Sequence, residues 1–173
     1  SSLFVPFAFT RLMYFRDIAK YYPEKGYTNA HGIFLVLFIL FSACMTDTCA
    51  YFAGTLLGKH KLCPSISPKK TVEGAIGGVV GCVIANVILY AIYDNFIFEN
   101  PVHNYLPIVV ATIITSIVGM CGDLTASLIK RNYGIKDFGN LIPGHGGIMD
   151  RFDSIMFVSA AFYAVFNIFE VSI

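Results

Sequence analysis

The sequence predicts an all-α protein, a polytopic transmembrane helix bundle with about four spans in 173 residues. Three observations carry that expectation. Composition is the first: 56% of the residues are hydrophobic and 13% charged, against about 45–50% and about 25% in soluble domains, and the mean hydropathy is +0.68. The second is a set of four apolar runs, about 32–57, 74–93, 106–129 and 152–171, near the roughly 20 residues a helix needs to cross a hydrocarbon core. The third is the lack of period-2 alternation along them. That leaves helices, each closing its own backbone hydrogen bonds in lipid, and excludes a barrel. A net charge of +1 argues against nucleic acid as a partner.

Residues 1–30 form a leading segment, separate from the membrane domain at 31–173. Leu3 to Tyr22 is apolar but broken by Pro6, Arg11, Arg16, Asp17 and Lys20, so it reads as an interfacial helix or the end of an earlier span. The chain opens at Ser1 without a signal-peptide pattern and is expected to be part of something longer. The first span carries Asp47, with Thr46 and Thr48 beside it as local hydrogen-bonding partners. In the loop at about 58–73, Ser67 followed by Pro68 reads as a helix N-cap with proline in the first turn. Lys69, Lys70 and Thr71 then fall at the positive end of the next helix, a ready phosphate site. Lysines meeting anionic headgroups are the competing reading. Small residues recur at Gly54 and Gly58, Gly74 and Gly78, and Gly77 and Gly81. Such spacing lets helices approach closely, within the bundle or between two copies in a homodimer.

The third span carries Asp123, seven residues and about 10 Å of helix before Lys130. An ionised aspartate at the centre of a bilayer costs at least about 2.5–3.5 kcal/mol, so Asp47 and Asp123 are both expected to face a polar cavity. The loop at about 130–151 and the start of the fourth span hold the densest chemistry. Lys130, Arg131, Lys136, Asp137, His145, Asp150, Arg151 and Asp153 alternate in sign among Gly134, Gly139, Gly144, Gly146 and Gly147. Glycines let backbone N–H groups approach an anion, Lys and Arg neutralise phosphate, and carboxylates among cations suit magnesium. The combination points to a metal-assisted phosphoryl site.

Loops 58–73 and 130–151, with Arg151, hold eight of the twelve Lys and Arg residues, and alternation along four spans puts them on one side, cytoplasmic by the positive-inside rule. Arg11, Arg16, Lys20 and Lys25 fall on the other side and oppose the assignment. The five cysteines form no disulfide framework or metal motif and read as small buried hydrophobes.

The stretch from Ser127 to Asp153 resembles the signature of the CDP-diacylglycerol synthases, or phosphatidate cytidylyltransferases. It carries Ser127, Lys130, Arg131, Lys136, Asp137, Gly139, Pro143, His145, Gly146, Gly147, Asp150, Arg151 and Asp153. Asp47 to Tyr51, Gly58 to Leu62 and Ser67 to Thr71 are also similar to family segments, in wording closest to bacterial members. The resemblance implies a multi-pass enzyme of the cell membrane that joins CTP and phosphatidic acid into CDP-diacylglycerol with release of pyrophosphate. It further implies magnesium, alone or with a second, monovalent ion, held by Asp123 and Asp150, with Asp47 as a further metal candidate. Lys130, Arg131, Lys136 and Arg151 are expected to clamp phosphates, His145, Gly146 and Gly147 to supply donors, and Asp137 and Asp153 to orient the clamp. Ser67, Lys70, Thr71 and Ser127 are expected to contact the nucleotide. A CTP-dependent lipid-alcohol kinase and an ion or metal transporter are the alternatives, distinguished by product identity and by transport without CTP turnover.

Overall fold

The computed structural model describes residues 4–64, 66–98, 103–135 and 149–169. They form the expected all-α membrane bundle. A short helix α1 (Phe4–Arg16), one turn α2 (Ile18–Tyr21) and a 3-10 turn (Pro23–Lys25) lead into α3 (Asn29–Leu57). A two-stranded hairpin, β1 (Lys61–Cys63) and β2 (Ser67–Thr71), precedes α4 (Val72–Phe96), α5 (Leu106–Asn132) and α6 (Met149–Phe169). Helices α3, α4 and α5 are long and apolar enough to cross a membrane, and Ser154–Asn167 of α6 is a shorter apolar segment. At about 1.5 Å per residue α3 alone spans about 44 Å, more than the hydrocarbon core.

Helix α4 shows why these helices belong in lipid. Its buried stripe is Gly74, Gly78, Cys82, Asn86, Tyr90 and Asp94, repeating every four residues. Ile76, Val80, Ile84, Ile88 and Ile92 form the exposed stripe. Large apolar groups face outward and small or polar ones inward, the reverse of a soluble helix. The cysteines follow the same logic. All five are free, as expected, but only Cys82 is buried, whereas Cys44 and Cys121 face outward. The expectation of buried cysteines is corrected here because an outward face in lipid accepts the same apolar thiol.

Without a hydrophobic drive between helices in lipid, close packing and interhelical hydrogen bonds hold the bundle. The glycines of α4 pack on α3 within this chain. A Cβ at Gly74 would lie 2.8 Å from the carbonyl oxygen of Ala50, and one at Gly78 would lie 3.0 Å from that of Thr46. Between them the backbones meet with no room for a side chain. Deeper in, Asn86 Nδ2 donates to Ser42 Oγ at 2.8 Å, and the hydroxyls of Thr46 and Ser116 are hydrogen-bonded at 3.1 Å, tying α3 to α4 and to α5.

The leading helix α1 joins the same core. Phe15 and Ile18 are fully buried, the Phe15 ring lies 5.0 Å from that of Phe162 of α6 at a tilt of 57°, and the Arg11 guanidinium lies 3.7 Å above the Tyr163 ring. That cation–π contact keeps one of the four opposing cations against apolar surface. Phe34, Phe38, Phe162, Phe166 and Tyr90 continue the aromatic core.

The loop at 58–73 is more ordered than its charge suggests. β1 and β2 pair antiparallel, with Lys61 opposite Thr71 and Cys63 opposite Ser67. The N-cap expected at Ser67 is therefore corrected: Ser67 and Pro68 lie in a strand, and Thr71 caps α4 by accepting Gly74 N–H at 3.1 Å. Proline fits because an edge strand of two does not require its missing N–H. Glu73 ties the base of the hairpin, its carboxylate accepting the backbone N–H groups of Lys59 and His60 and meeting His60 Nδ1 at 2.7 Å.

Replacing Gly78 with leucine should force α3 and α4 apart and cost about 1–3 kcal/mol or more, as overpacking does elsewhere. Unfolding of the detergent-solubilised protein checks this: Gly78→Leu lowers the midpoint, and Ile84→Leu on the outward face leaves it nearly unchanged.

Candidate active site

Helices α3 and α5 bring Asp47 and Asp123 to one cavity of ≈ 560 Å³, closed on its charged side by the hairpin and the start of α4. Tyr51, Gly54, Lys61, Lys69, Lys70, Thr71, Gly74 and Met120 complete most of its wall. The paths of the helices explain the meeting. α3 ends at Leu57, the hairpin turns the chain, and α5 reaches the same end with its last turns, running unbroken from Asp123 to Lys130. Both aspartates thus lie near the basic end, although neither is near the other in sequence.

Each carboxylate has a partner on a different element. Lys70 Nζ of β2 forms an ion pair with Asp123 Oδ2, the two side chains 28% and 27% exposed. Ser154 Oγ of α6 donates to Asp47 Oδ2 at 3.3 Å. Thr46 and Thr48, expected as local partners for Asp47, donate instead to the carbonyls of Ser42 and Cys44 one turn back, so the support for Asp47 is tertiary. Three lysines, Lys61, Lys69 and Lys70, face two carboxylates in this wall. The N-terminus of α4 beside them adds the positive end of a helix dipole. The cavity is therefore suited to a polyanion, and its paired carboxylates to a hard cation carried with it.

Of the nucleotide-contact candidates, Lys70 and Thr71 line the cavity. Ser67 lies at the far end of β2, paired with Cys63. Ser127 and Lys130 follow Asp123 by four and seven residues on α5, the spacing of one helix face, and both are half-buried. Arg131 is exposed in the last turn. Lys136, Asp137, His145, Gly146 and Gly147 lie outside the described residues. Asp150, Arg151 and Asp153 occupy the first turns of α6, where only the backbone is described. Asp150 precedes Ser154 by one turn, and Ser154 reaches Asp47. Among the described residues no group of three His, Cys, Asp or Glu side chains converges as a metal cluster.

Lys61 was not singled out from the sequence, since a lysine in a charged loop reads as solvated, whereas Lys69 was expected at the start of a helix and lies instead on β2. The strand period is the signal that relates them: Lys61 pairs with Thr71, two residues beyond Lys69. Glu73 was likewise missed, being an acid in the first turn of a helix with no visible partner until the hairpin folds back.

The sequence model of the cytidylyltransferase family matches residues 3–169. The chain belongs to that family. It is 45% identical over 131 residues to a phosphatidate cytidylyltransferase of Staphylococcus haemolyticus (strain JCSC1435), covering 76% of this chain and 48% of the relative. It is 39% identical over 150 residues to the phosphatidate cytidylyltransferase of Bacillus subtilis (strain 168), covering 87% and 54%. The chain spans about half the length of the curated relatives it matches. Family membership agrees with the polyanion-suited wall and with the all-helical membrane architecture.

Thr71→Val should remove the α4 cap and cost about 1 kcal/mol, whereas Thr71→Ser keeps the acceptor and most of the stability. Denaturation of the two variants side by side measures the difference.

Proposed function

We propose that this chain is the catalytic part of a phosphatidate cytidylyltransferase, converting CTP and phosphatidic acid to CDP-diacylglycerol and pyrophosphate in phospholipid synthesis. The observation that carries the reading is the shared cavity of Asp47 and Asp123, walled by lysines at the basic end of the bundle. The printed names of the relatives in its family supply the substrates. Basic residues concentrated at this end favour the cytoplasmic face. CTP arrives from water and phosphatidate keeps its acyl chains in lipid, so their phosphates meet at this boundary.

In the proposed reaction an oxygen of the phosphatidate phosphate attacks the α-phosphorus of CTP. The bond to the β-phosphate oxygen breaks and pyrophosphate leaves. No covalent protein nucleophile is needed, because positioning and charge neutralisation carry such transfers. Lys61, Lys69 and Lys70 hold triphosphate oxygens against the start of α4, and Lys130 and Arg131 extend the clamp along α5. Asp123, with Asp150 and Asp47, would hold magnesium. The two carboxylates in one cavity fit a hard cation that takes one or two carboxylates and completes its shell with phosphate and water. When bound it supplies charge neutralisation to the triphosphate and the leaving group. Lys136, Asp137, His145, Gly146, Gly147, Arg151 and Asp153 are assigned to the same phosphate-handling loop by the sequence signature.

Incubating the full-length protein with phosphatidate and CTP labelled in the cytosine ring should yield labelled lipid and unlabelled pyrophosphate. Release of labelled CDP with a phosphorylated lipid alcohol, in a parallel incubation with diacylglycerol, would overturn the reading in favour of a kinase. Asp123→Asn and Asp150→Asn should each lower kcat about 10²-fold or more, as loss of a charge-stabilising group does, while the protein still inserts and elutes as wild type. Near-normal turnover of both at limiting magnesium would refute the metal assignment. Lys130→Ala should reduce kcat/KM more than Lys59→Ala, because Lys130 is half-buried on the α5 face that carries Asp123, whereas Lys59 is exposed. Equal losses would remove Lys130 from the clamp.

A further inference from the structure

Of the two cavity carboxylates, Asp123 meets an ammonium supplied by the hairpin, Lys70 Nζ. An uncompensated carboxylate on an apolar helix is costly, and Lys70 offsets its charge without any ion from solution. Lys70 comes from the hairpin, outside the long helices, and its flexible four-carbon stem lets the ammonium move while the backbone stays in place. In the same wall it is flanked by Lys69 and Thr71, at the helix N-terminus where phosphate oxygens are favoured.

We propose that Lys70 is an exchangeable counter-ion: it neutralises Asp123 while the cavity lacks nucleotide and passes to the triphosphate when a divalent cation arrives with it. This rests on the reading of Asp123 as a metal ligand. A divalent cation alone must displace the ammonium from the carboxylate and brings no new anion for it. A cation carried by a triphosphate gives Asp123 a new partner and gives Lys70 one as well. Asp123 and Lys70 each have a partner of opposite charge before and after. Metal and nucleotide therefore bind with positive coupling, and the coupling is reciprocal by linkage. Lys61 and Lys69 remain as phosphate contacts that do not exchange.

The test is manganese binding to the full-length protein in detergent, without nucleotide, read as the loss of the free-ion electron paramagnetic resonance signal. Lys70→Met should bind manganese about twofold to fivefold more tightly than wild type, the scale of one partly exposed ion pair removed as competitor. Lys70→Arg keeps the cation and should bind as wild type, which separates charge from folding. If Lys70→Met binds no more tightly than wild type while Asp123→Asn binds more weakly, the exchange is overturned and the metal site stands. If Asp123→Asn binds manganese as well as wild type, the metal assignment and the exchange fall together. A lower melting temperature in Lys70→Met without tighter manganese binding marks a structural ion pair and also overturns the proposal.

Discussion

A carboxylate on a membrane-crossing helix can stay ionised only where other elements bring polar or charged groups to it, and this constraint organises the charged end of the bundle. Asp123 is met by a lysine from the hairpin and Asp47 by a serine from α6. Neither partner is on the helix of the residue it serves. The hairpin, the start of α4, the last turns of α5 and the first turns of α6 must therefore reach one place together. The cavity is lined by α3, the hairpin, the start of α4 and α5. Its placement follows from charge and desolvation, since water or another charge must be near any group that lipid cannot solvate.

The closeness of α3 and α4 makes that meeting geometrically possible. At Gly74 and Gly78 the helices touch backbone to backbone. This sets Thr71 against the last turns of α3, where its side chain lies close to Gly54 and Gly58. The same hydroxyl caps α4, so local helix initiation and tertiary contact share one residue. The polar interior between Ser42, Thr46, Asn86 and Ser116 then fixes the register of three helices where shape alone allows sliding.

The other end of the bundle is built differently. Aromatic rings from α1, α3, α4 and α6 pack there, with His31 stacked 4.2 Å from Phe98. Asp94 is fully buried in the last turns of α4 and meets His103 Nδ1 at 2.6 Å. Its place beyond the apolar run concealed it along the chain. The contrast between an aromatic end and a lysine-walled end gives the molecule its chemical polarity.

Read along the chain, composition and run length were enough for the helical membrane architecture, because lipid imposes length and hydropathy on each span separately. Asp47 and Asp123 stood out for the same reason: a charge inside an apolar run is visible without knowing its neighbours. The resemblance at Ser127 to Asp153 named the family before any geometry. Tertiary structure alone decided which partners those aspartates have, moved the α4 cap from Ser67 to Thr71, and brought Lys61 and Glu73 into or beside the site. The reason is physical: burial preference is a property of single residues and short windows, whereas pairing depends on which distant segments the packed backbones carry to one point.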